Sequence, residues 1–373
     1  MMLRVLADDL TGALDAGACF AAARRPLPVH WRDDAGAGDD LVLDIETRSL
    51  REVEATKRLE RHLPPLATAG LAFKKIDSLM RGNSSSEIAA CASSPLFGSV
   101  VIAPAFPAQR RVTRRGQQYA RHCDAEQWRP VGPNLLAMLA RPSAGAKPVP
   151  VHIPCGAVPE GSGVFVCDGE TEDDLRLVAQ AGAGLVQPIL WCGTAGLARA
   201  LAGPGEARNR PAGRRIFAII GSRHPSAHAQ VEAIEHRWPG AVLRVDRGMT
   251  PNAATTDVRA ALDRHGLALL LPSYGNAAAH DIRSLFAELI DAVARSAQID
   301  VCFASGGSTL RFVLDAIGCD RLMVEGEIEA GIPLAHMCGG HWDGCVLVSK
   351  SGAFGTPMTV RNLIEGMQGE VRP

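Results

Sequence analysis

The chain has 373 residues, 47% hydrophobic and 21% charged, which is ample material for buried cores and makes two domains the expectation. Its formal net charge of −1 argues against a nucleic-acid binder held by bulk electrostatics. No apolar run approaches the roughly 20 residues needed to span a bilayer, and a first strand starting at about Leu3 is expected to leave no room for a signal peptide. The ten cysteines are scattered with no CxxC pair, several of them inside apolar strand-like runs, so reduced, small-hydrophobe roles in a cytoplasmic enzyme are expected.

The first element carries the most information. Leu3–Ala7 is a short apolar run that ends in Asp8 and Asp9, and a helix of small residues begins at once and runs toward Arg24-Arg25-Pro26. In open α/β sheets, ligands sit beyond the carboxyl ends of the strands, where this loop would lie. Thr11 and Asp15 share one helical face. Three carboxylates, a hydroxyl and Gly12 at one strand end suit a polyhydroxylated ligand, a metal-bound phosphate, or both, although either acid alone would also serve as a helix cap.

Further strands are expected at Leu41–Asp44, Leu71–Lys75, Ser99–Ala103, Val164–Cys167 and Pro188–Cys192, with helices at Thr171–Ala181 and Thr194–Leu201. This alternation implies α/β architecture with a mainly parallel sheet. Asp44 begins Asp-Ile-Glu-Thr-Arg-Ser, which adds Arg48. The run after Phe73 is richer, with Lys74, Lys75, Asp77, Ser78, Arg81, Gly82 and Asn83 inside ten positions. Arginine binds a carboxylate bidentately and lysine supplies a point charge, so the set suits a small hydroxylated acid. The segment from Gln109 through Pro150 is polar, then proline-rich, and is expected to be largely irregular. Gly203 to Arg215 has no apolar period and is the best linker.

The alternation restarts beyond it. Strands are expected at Ile216–Gly221, Ala241–Val245, Leu267–Pro272, Ile299–Ala304, Arg321–Val324 and Gly344–Lys350. Helices fall at Ser226–Trp238, Thr256–His265, Ala277–Ala297 and Thr309–Ile317. Three strand ends here carry small residues: Gly221-Ser222-Arg223-His224, Ser305-Gly306-Gly307-Ser308-Thr309 and Lys350-Ser351-Gly352. Such loops let backbone N–H groups approach phosphate oxygens, and suggest a nucleotide site made mostly of backbone. Neither a GxxxxGK[ST] loop nor a GxGxxG fingerprint is present.

The ordered set of motifs resembles the four-carbon acid sugar kinase family, the ATP-dependent kinases of threonate, erythronate and 3-oxo-tetronate. Its carriers are ADDLTGALDAG, Asp44 with Thr47-Arg48-Ser49, Lys75-Ile76-Asp77-Ser78 with Arg81-Gly82-Asn83, and Pro104-Ala105-Phe106-Pro107 with Arg111 and Gly116. They continue with Cys192-Gly193-Thr194, Gly306 to Thr309, Glu327 with Gly331-Ile332-Pro333, and Lys350 to Gly355. The chain departs from the pattern at Ser308, Leu310, Arg223-His224 and Ala353, and after Gly116 it looks shortened.

The resemblance implies two α/β domains with the active site in the cleft between them, a sugar-acid domain over 1–205 and a nucleotide domain over 214–373. It implies ATP and Mg²⁺ as cofactors, a small sugar acid as the acceptor, and room for a homodimer. On this reading Asp8, Asp9, Thr11, Asp15, Arg48, Lys74, Lys75, Ser78, Arg81 and Asn83 would line the acceptor. Ser222, Gly306, Gly307, Ser308, Thr309, Lys350 and Gly352 would hold ATP. Asp77 and Asp9 are both candidates to orient or deprotonate the attacking hydroxyl, with Arg81 beside them as a catalytic cation. A dehydrogenase or Schiff-base aldolase lacks its motif here; a non-catalytic sensor of sugar acids or nucleotides remains as the alternative.

Overall fold

The computed structural model describes residues 1–32, 40–122, 126–141, 149–246, 248–272 and 279–369. The chain divides into two compact units, Met1–Glu206 and Ala207–Pro373.

The first unit runs β1 (Leu3–Ala7), α1 (Leu10–Ala22), β2 (Leu27–His30), β3 (Leu41–Asp44), α2 (Glu52–Ala67), β4 (Leu71–Lys75), α3 (Ser84–Ser93) and β5 (Ser99–Ala103). It continues through β6 (Arg111–Arg114), β7 (Gln117–Ala120), β8 (Arg129–Pro130), α4 (Leu135–Leu139), β9 (Val151–Ile153), β10 (Gly163–Cys167), α5 (Glu172–Gln180), β11 (Ile189–Gly193) and α6 (Ala195–Ala202). Its main sheet is parallel, in the order β2-β3-β1-β4-β11-β5-β10-β9. The strands β1, β3, β4, β5 and β11 are almost wholly buried, as parallel strands covered on both faces must be. Leu59, Leu63 and Leu66 of α2 and Ile88 and Cys91 of α3 fill the core on one face. From β1 the chain passes by α1 to β2 and β3 on one side, and the later strands add on the other. The topological switch therefore falls beside β1, where ligands bind in such sheets.

The second unit runs β12 (Ile216–Ile220), α7 (Pro225–Arg237), β13 (Val242–Val245), α8 (Pro251–His265), β14 (Leu267–Pro272), α9 (Ala279–Ser296), β15 (Val301–Ser305) and α10 (Gly307–Ala316). It closes with β16 (Arg321–Glu329), β17 (Ile332–Cys338), β18 (Val346–Lys350) and α11 (Thr359–Met367). The order is β13-β14-β12-β15-β18-β17-β16, parallel as far as β18 and antiparallel through β17 and β16. Here the switch falls between β12 and β15.

Most expected strands are present within a residue or two. Two differences matter. The sequence reading has no helix where α2 forms; Pro64 and Pro65 lie in its final turn, after three turns whose i→i−4 ladder they leave intact. The stretch expected to be irregular from Gln109 holds a three-stranded antiparallel sheet, β6-β7-β8, and then α4. Its strands are short and its inward face is polar, so no apolar alternation marks it. Thr113 and Gln118 are wholly buried and satisfy each other at 2.7 Å. The turn between β6 and β7 uses Arg115 at φ +50° and Gly116 at φ +71°. Residues 123–125 and 142–148 of that stretch, 277–278 of the helix expected at Ala277–Ala297, and Cys123 lie outside the described residues. The described cysteines carry no disulfide, and Cys19, Cys91, Cys167, Cys192, Cys302 and Cys319 are buried. No helix among the described residues is long and apolar enough to cross a membrane.

Candidate active site

Three loops at the carboxyl ends of β1, β3 and β4 are tied together by one side chain. Arg48 donates from Nε and Nη2 to the two oxygens of Asp8, at 2.8 and 2.9 Å, and from Nη1 to Asp9 Oδ2. Its Nη2 also lies 3.3 Å from Asp77 Oδ2. Arg81 closes on Asp77 from the other side, with Nε at 3.0 and 3.1 Å and Nη2 at 2.6 Å. Asp77 further accepts from the N–H groups of Leu79 and Arg81 at 2.9 and 3.2 Å. Burial opposes the charge on Asp77, but Arg48, Arg81 and Lys75 outweigh it and hold the carboxyl far below its usual range. Asp8 is lowered for the same reason: burial is outweighed by Arg48 and the two lysines. Arg48 is pushed the other way, since the three carboxylates overcome its own desolvation.

Asp9 does two jobs. Oδ1 accepts from Gly12 N at 2.8 Å and caps α1, so the capping role read from the sequence is real; Oδ2 accepts from Thr11 Oγ1 at 2.9 Å. It is also the most open of the three acids, its side chain 14% exposed against 2% for Asp8 and 5% for Asp77. Gly12 makes the approach feasible. A Cβ there would stand 2.8 Å from Asp9 Oδ1 and 3.2 Å from Lys75 Nζ. Lys75 Nζ thus lies beside the first turn of α1, where it donates to Ile76 O at 3.0 Å.

The remaining predicted residues divide. Lys74 is wholly buried, with Nζ 2.7 Å from Glu87 Oε2 on α3. Burial opposes its charge, and the carboxylates of Glu87 and Asp8 more than compensate. Successive residues of β4 face opposite sides of the sheet, which separates Lys74 from Lys75. Lys74 is thus engaged by Glu87, and its place at the acceptor stands as an expectation. Asn83 donates to Thr47 O at 2.7 Å and Leu50 O at 2.9 Å, pinning the loop that carries Arg48. Gly82, at φ +63°, allows that packing, since a Cβ would lie 2.5 Å from Arg48 O. Asp15 sits a turn deeper in α1, buried, and Ser78 is buried in the β4 loop.

Gln118 went unnoticed in the sequence, where a glutamine in a polar run carries no signal. Its Nε2 donates to Ser78 O at 3.2 Å and Pro104 O at 2.9 Å, seating the small sheet against the site loops.

In the second unit the three small-residue loops meet at the carboxyl ends of β12, β15 and β18. Gly221 N donates to Ser305 O at 3.2 Å, and Gly306 N to Lys350 O at 3.3 Å. A Cβ on Gly352 would fall 1.9 Å from Ser222 Oγ, and one on Gly221 would fall 1.9 Å from Thr309 Oγ1. Gly306, at φ +110°, starts α10, whose first turn has no side-chain cap and no acid. Ser308 is exposed beside it. Lys350 Nζ, buried, donates to Ser351 O at 2.9 Å and lies 3.4 Å from Ser305 Oγ. His224 is the cap of α7, its Nδ1 accepting from Ser226 N at 3.2 Å. This surface is made of backbone donors and glycine, suited to anionic oxygens. Among the described residues, no three His, Cys, Asp or Glu side chains converge as a metal-ligand set.

A family model described as a sugar-binding N-terminal domain matches residues 3–133, and one described as a nucleotide-binding C-terminal domain matches 217–360. A D-threonate kinase of Cupriavidus necator is 32% identical over 89% of this chain and 89% of its own. A 3-oxo-tetronate kinase of Methylobacterium radiotolerans is 26% identical over 95% of this chain and 96% of its own. Haemophilus influenzae protein HI1011, of known crystal structure, shares the fold at TM-score 0.67 with 20% identity, covering 99% of this chain and 100% of that one. The chain belongs to the four-carbon acid sugar kinase family.

Proposed function

We propose that this protein is an ATP-dependent kinase that phosphorylates a hydroxyl of a four-carbon sugar acid, the acceptor held by the first unit and ATP by the second. The observation that carries it is the pairing of two unlike clusters, each at the switch point of its own parallel sheet. One is a lattice of carboxylates and guanidinium groups; the other is glycine and the first turn of α10, which no side chain caps. The D-threonate and 3-oxo-tetronate kinases named above support the acceptor class.

Phosphoryl transfer asks mainly for in-line positioning and for cations around the transferring group. Asp9 orients the attacking hydroxyl and takes its proton late, since it is the most open acid of the cluster and its backbone is fixed by the α1 cap. Asp77, gripped by two arginines, is a poor proton acceptor and instead positions Arg81. Arg81 and Lys75 supply positive charge to the acceptor carboxylate or the transferring group. Ser222, Gly306 to Thr309, Lys350 and Gly352 hold the phosphates. Mg²⁺ keeps several waters and binds through one or two carboxylates plus phosphate oxygens rather than an all-protein cage; when bound, it would offset charge on the phosphates.

The test is ADP release by the full chain over a panel of four-carbon acids, with and without Mg²⁺. Turnover of at least one tetronate, dependent on Mg²⁺, is expected. Silence across the panel with ATP binding intact would sink the proposal.

A further inference from the structure

Lys75 closes β4 with its side chain turned toward α1. Its Cγ and Nζ stand 3.4 and 3.2 Å from where a Cβ on Gly12 would lie, and Asp9 Oδ1 stands 2.8 Å from the same point. The ammonium is thereby placed by distance beside the capped first turn of α1, next to Asp9. Lys75 is 4% exposed.

The cations of the first unit's cluster differ in what they hold. Arg48 is committed to Asp8 and Asp9, and Arg81 to Asp77. Lys74, one residue away, has Glu87 at 2.7 Å. Lys75 Nζ donates to one neutral carbonyl, Ile76 O at 3.0 Å, and among the described residues no carboxylate lies within ion-pair distance of it. The remaining N–H donors of the ammonium have no acceptor there. A buried ammonium in that state carries a desolvation penalty that an arriving anion offsets. Its charge also reaches Asp8 and Asp77, whose carboxyls it helps to lower.

The chemistry of the ammonium selects among anions. A planar guanidinium matches a planar carboxylate, whereas lysine is a compact point charge whose donors rotate, which suits the three equatorial oxygens of a phosphoryl group. Beside Asp9, the acid assigned to the attacking hydroxyl, the anion in contact with the reacting oxygen is the phosphoryl group in transit. A cation fixed there in advance meets the charge on that group without reorganisation.

We propose that Lys75 is a catalytic residue that binds the phosphoryl group as it passes to the acceptor hydroxyl and still holds it in the product, and that it does not bind the carboxylate of the acid. The inference rests on the kinase reading and fixes the role of one cation within it.

The full-length chain, Lys75→Met, Lys75→Gln and Lys75→Arg are titrated calorimetrically with D-threonate, D-erythronate and the phosphate monoesters of both acids. Lys75→Met should weaken the best-bound monoester by about tenfold or more and leave Kd for its parent acid within about threefold. Its kcat should fall by about 10²–10³, the loss typical of one donor to a developing charge, with KM for acid and for ATP within about threefold. Lys75→Arg should recover part of both losses. Thermal melts check folding, and Lys75→Gln, still a donor but uncharged, decides the matter if Lys75→Met does not fold. A monoester loss less than about threefold greater than the acid loss overturns the proposal, because a carboxylate contact or a purely structural lysine gives that pattern. A kcat within about threefold of wild type overturns it as well. Wild-type protein that binds acids and monoesters without turnover overturns the kinase reading alone, since the titrations still decide which anion Lys75 holds. Wild-type protein that binds neither overturns both.

Discussion

Arg48→Met is the sharpest perturbation of the first unit. Asp8 is 1% exposed and takes both its hydrogen bonds from Arg48. Asp77 keeps Arg81, and Asp9 keeps Gly12 N and Thr11, so the loss falls mainly on Asp8. Removing one partner of a buried ion pair typically costs about 3–5 kcal/mol, whereas an exposed pair is worth about 0–1. Arg48 is 21% exposed at its side chain, which places this network near the buried limit. For a unit of this size that corresponds to roughly 6–20 °C in Tm. The pH dependence has a definite sign. In wild type, Asp8 and Asp77 have lowered folded-state values, so their stabilisation is present above about pH 4 and is lost as pH falls through the folded values. Without Arg48, burial dominates Asp8 and raises it, so protonation relieves the variant on mild acidification. Calorimetric melts at pH 7 and pH 5 should show the wild-type-to-variant gap narrowing at the lower pH. A gap below about 1 kcal/mol at pH 7, or one that widens toward pH 5, would refute the reasoning.

Asp9→Asn should lower kcat by about 10²–10⁴ while Asp77→Asn acts chiefly on acid KM through a slackened Arg81; near-normal turnover in both would remove the assignment. Gly352→Ala forces a Cβ to 1.9 Å from Ser222 Oγ and 2.3 Å from its Cβ. It should raise KM for ATP by an order of magnitude or so and leave acid KM alone, a split that nucleotide and acid titrations read separately. Lys74→Met should destabilise the fold by about 3 kcal/mol with acid KM kept, and Lys74→Met with Glu87→Leu should be closer to wild type than either single change. Urea melts of the three variants decide it, and a large rise in acid KM would place Lys74 at the acceptor site.

Both parallel sheets were legible because buried strands bounded by polar punctuation and followed by amphipathic runs leave a local imprint. Val5, Phe73, Val101 and Phe303, each wholly buried, are examples. The strand-end chemistry was legible for the same reason, since loops at carboxyl ends are where such residues gather. What stayed hidden depends on contacts distant in sequence. That Arg48 binds Asp8 across 40 positions follows from β1 and β3 being neighbours, which no local pattern encodes. Lys74 and Lys75 are chemically alike, and only the facing of β4 separates a core ion pair from a site residue. The hairpin of β6 and β7 escaped notice because Thr113 and Gln118 bury polar atoms against each other.

That hairpin has a consequence for how acceptor preference diverges. It is not a strand of the main sheet. It is fastened by Gln118 to Ser78 O and Pro104 O, and by the N–H groups of Arg115 and Gly116 to Asp168, at 2.6 and 2.9 Å. Its length and side chains are therefore free to change between those fasteners without shifting a register in the parallel sheet. It behaves as an exchangeable cassette: transplanting residues 107–122 between homologues should transfer the preference for one acid over another while the hydroxyl-orienting loops remain the recipient's own.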